Sequence, residues 1–128
     1  MNDIYESIPE YIRNHIKEVN TYASPGGGYL LGKGLLSKDK VFIPGLTEAD
    51  DNWSSQNQTE TGQKKFPIFS NDSSRVKRLN NGSGAPEYWW TRSPYFNNNS
   101  DFCCFYTDSS SYSYYANTSF GVCFCFNI

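Results

Sequence analysis

From Phe96 to Ile128 the chain runs for 33 residues without one Lys, Glu, Gln, Met or Trp, although the preceding 95 contain 20 residues of those five types. At that earlier frequency such a run has a chance of about 4 in 10,000, so the tract obeys a rule of its own. The five missing types share one property: no codon ending in a pyrimidine encodes any of them, whereas every residue in the tract has such a codon. Twenty of the 33 are Asn or lie one base change from an asparagine codon, and the others (Phe, Cys, Ala, Gly, Val) lie two changes away. This is the pattern of AAY codons scattered at their adenines. Ordinary drift towards Ser, Asn and Tyr is the simpler alternative, but it would not favour Phe and Cys so strongly. A tract free to vary constrains the whole fold, because surface substitutions cost about 0.5 kcal/mol and core substitutions several. Residues 1–95 then have to supply a scaffold, and 96–128 a variable surface upon it, within one domain spanning 1–128.

The scaffold is read from its periodicity. Ser7 and Glu10 have the spacing of a capping box, with Pro9 tolerated in the first turn. Ile8, Ile12, Ile16 and Val19, with Tyr11 and His15 beside them, trace an apolar stripe at helical spacing, which predicts an N-terminal helix. His15 is expected to pack on that stripe, since no nucleophile or carboxylate is motif-linked to it. Pro25 and the glycines at 26–28 read as a loop, and Gly32 and Gly34 shorten or bulge any strand over 29–36. Residues 40–43 read as a strand stopped by Pro44 and Gly45. A long polar loop over 47–65 carries Trp53, after which Phe66, Ile68 and Phe69 return the chain to the core. A short helix or strand follows over 70–80, with Arg75, Lys77 and Arg78 outward.

Charged residues make up 19% of the chain and the formal net charge is −2, so no strong field points to nucleic acid. No apolar run approaches the roughly 18–20 residues of a transmembrane helix, and the first six residues lack the basic-then-apolar order of a secretory signal. The glycines of GGGYLLGKG lack the GK[ST] ending and strand-to-helix context of a phosphate loop. A mean hydropathy of −0.64 with 17% aromatic residues fits aromatics displayed beside Ser, Asn and Gly, the composition of a recognition surface.

Motifs around the tract carry a resemblance. WWTRSPY over 89–95, Phe102 with Cys103, Ala116, and the closing GVCFCF over 121–126 resemble a WWxRSP-type signature of gut-bacterial and phage domains. SIPEYIRNHIKEVN, LSKDKVFIPGLTEAD and the FPIF and RVKRLN stretches look like the same family, so the similarity is nearly full length. Phe124 departs from it, standing where the family commonly has a proline. Together with the adenine-type scatter, the chain resembles the variable protein of a diversity-generating retroelement. The resemblance implies an α+β, C-type-lectin-like fold related to formylglycine-generating enzymes: loop-rich, with a small antiparallel sheet and an N-terminal helix. It also implies a hypervariable ligand-binding surface on a phage virion (tail) or bacterial cell surface, directed at a protein or glycan on a target cell. No membrane insertion and no nucleic-acid partner are expected, and oligomerisation within a larger assembly stays open. The alternatives are a non-variable structural or decoration protein of a virion or envelope, and a metal-independent lectin.

On this reading the ligand-binding residues are Phe96, Asp101, Cys104, Tyr106, Ser111, Tyr112, Tyr114, Tyr115, Asn117 and Phe120. The frame is Trp89, Trp90, Arg92, Gly121 and Val122, with Gly121 and Val122 expected in a strand beside the WWTRSP strand. Both indoles are expected mostly buried, Arg92 to satisfy carbonyls or a carboxylate such as Glu48, and Phe102, Val122 and Phe126 to point inward. No catalytic residue, cofactor or metal is expected. The four cysteines, as CC and CxC, lack the paired CxxC spacing of structural zinc. A Cys103–Cys123 bridge remains an open alternative to codon scatter. Asp101, Asp108 and Asn97 to Asn99 could offer oxygens to calcium, but no EPN- or QPD-like tripeptide accompanies them.

Overall fold

The computed structural model describes residues 2–24, 35–53, 56, 60 and 63–128. The loop expected at 25–28 and the Gly32–Gly34 stretch lie outside the described residues, as does part of the polar loop. Mixed α and β structure results, mostly strands and loops with a few short helices.

The helix expected from the Ser7 cap towards Val19 shrinks to α2 (Glu10–Arg13), and an unexpected short helix, α1 (Asn2–Ser7), precedes it. Pro9 separates the two: its ring disfavours helical geometry at the residue before it, and it sits extended at φ −52°, ψ 137° as the N-cap of α2 rather than in a first turn. The Ser7–Glu10 capping box does not form; the Ser7 hydroxyl donates instead to the Ile4 carbonyl at 2.6 Å. Ile16 is buried, but Val19 belongs to the strand β1 (Val19–Ala23). His15 is exposed rather than packed, its Nδ1 donating to the Tyr11 carbonyl at 2.8 Å, one turn back.

Strand β1 pairs antiparallel with β2 (Leu35–Asp39), five residues earlier than the strand expected at 40–43. Val41 and Phe42 are both buried, so this segment does not alternate as a strand would. Only Phe42 makes a ladder contact, pairing in both directions with Cys125, and Pro44 has no N–H to extend it. Next comes α3 (Leu46–Ala49), entirely buried. Its first amides are orphan donors that need partners. Gly45 N–H donates to Glu48, Leu46 N–H to the Ser93 hydroxyl and Thr47 N–H to Glu60, each at 2.8 Å.

A 3₁₀ turn, Pro67–Phe69, has three residues per turn, which puts Phe66 and Phe69 on one side and Ile68 on the other. Phe69 is buried and Ile68 is not, against the expectation that all three enter the core. A second 3₁₀ turn, Asp72–Arg75, leads into β3 (Lys77–Arg78), paired with β4 (Pro86–Glu87). Arg75 was expected outward but is buried. Its guanidinium lies over the Phe105 ring at 5.8 Å and donates to the Ser109 carbonyl and to Asp72, which satisfies the charge without solvent.

The remaining strands form one four-stranded sheet: β5 (Trp89–Pro94), β6 (Asp101–Phe105), β7 (Ser111–Tyr115) and β8 (Gly121–Val122), in spatial order β7-β6-β5-β8. Neighbours are antiparallel except β5 and β8, which run parallel with Trp89 opposite Gly121 and Trp90 opposite Val122. The sheet is therefore mixed rather than purely antiparallel, while the expected neighbourhood of GV and WWTRSP is present. The chain from β8 onward is stitched back by bridges from Cys125 to Phe42 and from Asn127 to Lys17.

One face of the sheet covers the core of Leu46, Ala49, Phe69, Trp89, Cys103 and Phe105. Trp89 stacks between Phe69 and Phe105, and its indole N–H donates to the Arg75 carbonyl at 2.8 Å. Two of these six residues come from the tract. The scaffold therefore does not supply the core alone.

Candidate binding face

Strand alternation decides what the other face carries. Because Cys103 and Phe105 point to the core, Phe102 and Cys104 must point away from it. Cys104 lies opposite Trp90 on one side and Tyr112 on the other, and Phe102 opposite Pro94 and Tyr114. Val122 sits beside Trp90 in register. Phe102 and Val122, expected inward, are therefore exposed, and Phe126 is exposed as well, in the stretch beyond β8 where Cys125 turns to the core cluster.

The rings of this face touch in an unbroken series. Tyr112 stacks on Tyr106 at 4.4 Å with planes 3° apart, and Tyr106 stacks on Tyr88 at 4.6 Å. Tyr88 meets Phe120 edge-on at 5.1 Å, and Phe120 also contacts Trp90 at 4.8 Å and Tyr114 at 5.5 Å. These separations lie in the range where aromatic pairs attract beyond their area burial. Tyr112 and Tyr114 remain about half exposed, at 51% and 42%.

Cys104 was expected to face solvent and is instead fully covered. It stands on the outward side, outside the core cluster, flanked on both sides by larger side chains of the neighbouring strands. Burial pushes its thiol up to about 12, so it stays protonated at neutral pH and offers no thiolate nucleophile. Burial also raises the Tyr106 phenol, with Cys104, Tyr112, Tyr114 and Tyr88 nearby adding to the rise.

Not every expected residue joins the series. Phe96 is half-buried at another edge, its ring edge-on to Tyr95, which packs on Trp53. Asp101 accepts from Ser113 and Ser100, and Ser111 donates to Asp50 at 3.2 Å, so Asp101 and Ser111 hold strands and loop together. Tyr115 and Asn117 are exposed, Tyr115 touching Tyr114 at 6.1 Å. Asn98 and Asp108 spend their side-chain oxygens on turns to Ser100, Asp101 and Ser110. Among the described residues no group of three or more His, Cys, Asp or Glu is gathered as for a metal.

The frame also divides. Trp89 is buried as expected, but Trp90 is only half-buried and contributes its ring to the face. Arg92 meets Glu48 through two hydrogen bonds of 2.6 and 2.7 Å and donates to the Tyr22 and Ile43 carbonyls, which ties β5 to α3 and β1. Gly121 passes so close to Tyr88 that a Cβ would lie 3.2 Å from its carbonyl oxygen. Tyr88 was missed as a face residue. Its signal was available, since it lies two residues before Trp90 and alternation puts both on one side.

The described residues thus form a mixed α and β fold, mostly strands and loops, whose small sheet has one face packed on the core and the other lined with aromatic rings. The chain belongs to the family described as Domain of unknown function (DUF6273), whose model matches residues 1–128. No curated protein and no solved structure matches it.

Proposed function

We propose that this protein is a ligand-binding module whose outer sheet face docks on a protein surface of a target cell. The observation that carries the reading is the ring series Tyr112–Tyr106–Tyr88–Phe120–Trp90 on the outer side of the sheet, with Tyr114 packed against it. Tyrosine and tryptophan give large contact area for little lost conformational freedom, which suits a docking surface. Four of the ten expected ligand-binding residues, Tyr106, Tyr112, Tyr114 and Phe120, lie in or against this series. The scaffold residues Tyr88 and Trp90 complete it.

The tract is read as a diversified surface of a diversity-generating retroelement, on a C-type-lectin-like frame, carried by a phage tail or a bacterial surface. The codon pattern of 96–128 supports this. So does the mix of scaffold rings, Tyr88 and Trp90, with tract rings, Tyr106, Tyr112, Tyr114 and Phe120, in which the scaffold rings preserve a platform while the others change. The experiment is genomic and biochemical. Coding DNA for 96–128 should have a near-copy, differing at adenines, beside a reverse transcriptase. Purified protein screened against bacterial surface proteins and a glycan array should retain a protein, and the Tyr112→Ala/Tyr114→Ala double variant should lose it. Retention of a glycan by both forms, or the absence of any near-copy, would overturn the respective part.

A further inference from the structure

Strand β7 (Ser111–Tyr115) forms one edge of the four-stranded sheet, and hydrogen bonds at both ends fix its backbone phase. The Tyr106 N–H donates to the Ser110 carbonyl at 2.9 Å, and the Ala116 N–H to the Ser100 carbonyl at 3.1 Å. In an antiparallel ladder, hydrogen-bonded pairs alternate with unbonded ones. The bonded pairs between those ends are therefore Cys104 with Tyr112 and Phe102 with Tyr114. It follows that Ser111, Ser113 and Tyr115 aim their N–H and C=O groups away from β6, at the free edge. Among the described residues nothing pairs with the N–H of any of the three, or with the Ser111 and Ser113 carbonyls. The Tyr115 carbonyl accepts from the Thr118 N–H at 3.0 Å and keeps a second lone pair.

We propose that two copies of the chain pair along β7, antiparallel about a twofold axis at Ser113, so that their sheets join into one. This goes beyond the docking reading and does not depend on it.

Three features name a second copy as the occupant. The first is self-complementarity, which a twofold interface requires. The outward residues 111, 113 and 115 are symmetric about Ser113. Ser113 meets its counterpart, Ser111 meets Tyr115 of the second copy, and every outward N–H finds a carbonyl. The second is charge. Natural edge strands are commonly guarded by charged residues, proline or a bulge. Strands β2, β3 and β4 each carry a charged residue, and β4 a proline, whereas SYSYY has neither and pairs with β6 without a bulge. The carboxylates nearest this edge, Asp101 and Asp50, accept from the Ser113 and Ser111 hydroxyls of their own chain. Across the axis, serine and tyrosine meet only serine and tyrosine. The third is continuity with the outer face. Tyr112 and Tyr114 fall in the closer, unbonded type of pair across the axis, with Cα atoms about 4.5 Å apart. Tyr112 of one copy then meets Tyr114 of the other, and the two ring series run together. A five-residue edge is a small interface, so the dimer is reversible, with a dissociation constant of about 1–100 μM.

The test is sedimentation velocity of the full chain from about 1 μM to 1 mM, with residue-resolved amide hydrogen exchange at both ends of that range. Samples are kept reduced, because all four cysteines are free thiols and the Cys103–Cys123 bridge left open by the sequence is not formed. The expected result is a monomer–dimer equilibrium in which the Ser111, Ser113 and Tyr115 amides gain protection with concentration. The Tyr112 and Tyr114 amides, bonded to β6, should be protected throughout. Ser113→Pro removes an outward N–H without touching the β6 ladder, and Ser113→Lys sets two ammonium groups face to face. Each should raise the dissociation constant by about 10-fold or more. A chain that stays monomeric would overturn the proposal and leave the edge to a strand of another protein. A dimer whose three alternate amides exchange as fast as in the monomer would overturn it as well. Both readouts come from the unaltered chain, whether or not the Ser113 variants fold. Neither uses a target-cell ligand, so failure here leaves the docking reading untouched.

Discussion

Tyr112 lies flat on Tyr106, ring centroids 4.4 Å apart and planes 3° from parallel. The two residues flank the turn between β6 and β7, where Ser109 adopts φ 75° and the Tyr106 amide is satisfied by the Ser110 carbonyl. A tight turn thus sets the first stacked pair, and the pair in turn fixes the Tyr106 ring against Tyr88. Order in the face begins at this backbone feature.

The first prediction follows from that geometry. Tyr112 and Tyr114 are the outermost rings, so Tyr112→Ala or Tyr114→Ala should cost about 1 kcal/mol of stability, the worth of a stacked pair. The same variants should weaken a selected partner by about 2 kcal/mol or more if the face docks. Thermal melts paired with binding measurements check both. Early melting with unchanged binding would mean that these rings hold the fold rather than the partner.

The two indoles should part company. Trp89 stacks on Phe69 and Phe105 and is 1% exposed, so Trp89→Ala should open a core cavity costing about 3–5 kcal/mol and unfold the domain. Trp90→Ala should cost less than half of that, because its ring is half in solvent. The sequence treats the two as equivalent anchors. Denaturant unfolding of both variants distinguishes these views.

What the sequence could disclose depended on how local each signal was. Trp89, the Arg92–Glu48 pair and the GV strand beside WWTRSP were legible because motif order and burial chemistry specify them without knowledge of strand phase. Phase was the weak point. Cys103 and Phe105 face the core and Phe102 does not, and a shift of one residue moves an entire strand to the other side. Aromatic residues fit either face, so composition could not choose between them. The apolar spacing ran on to Val19, yet α2 ends at Arg13 and Val19 belongs to β1, because the same stripe also suits a strand edge. The covered state of Cys104 depends on rings from two other strands, information that no window of sequence around it contains.

Glu60 makes a prediction about pH. Burial raises its carboxyl above the usual range, against hydrogen bonds from Thr47 and the nearby Arg92 charge. A raised folded value means that the native state holds this proton more tightly than the unfolded chain does. Its contribution is then fully present below the unfolded value and is lost as pH rises through the folded one. Glu60→Gln should therefore match wild type near pH 4 and melt higher at neutral pH. Calorimetry across pH 4–8 on both proteins isolates the effect, and a gap that widens towards acid would reverse the sign.

Gly121 offers the sharpest link between frame and face. Its N–H donates to the Tyr88 carbonyl at 2.8 Å, and a Cβ there would sit 3.2 Å from that same oxygen. The obstacle is backbone, which cannot swing aside as a long side chain would. Gly121→Ala should therefore cost about 1–3 kcal/mol, as overpacking does. Relief requires β8 to move off β5. That displacement carries Phe120 away from Tyr88 and Trp90 and separates two sides of the ring series. Val122→Thr is the control, since its side chain is 48% exposed and should change stability by about 0.5 kcal/mol or less. The measurement is a pair of melts with near-ultraviolet circular dichroism, which reports the packing of Tyr88, Trp90 and Phe120. Loss of aromatic signal in Gly121→Ala at a temperature where the chain is still folded is the expected result. An unchanged spectrum would show that β8 does not hold the face in order.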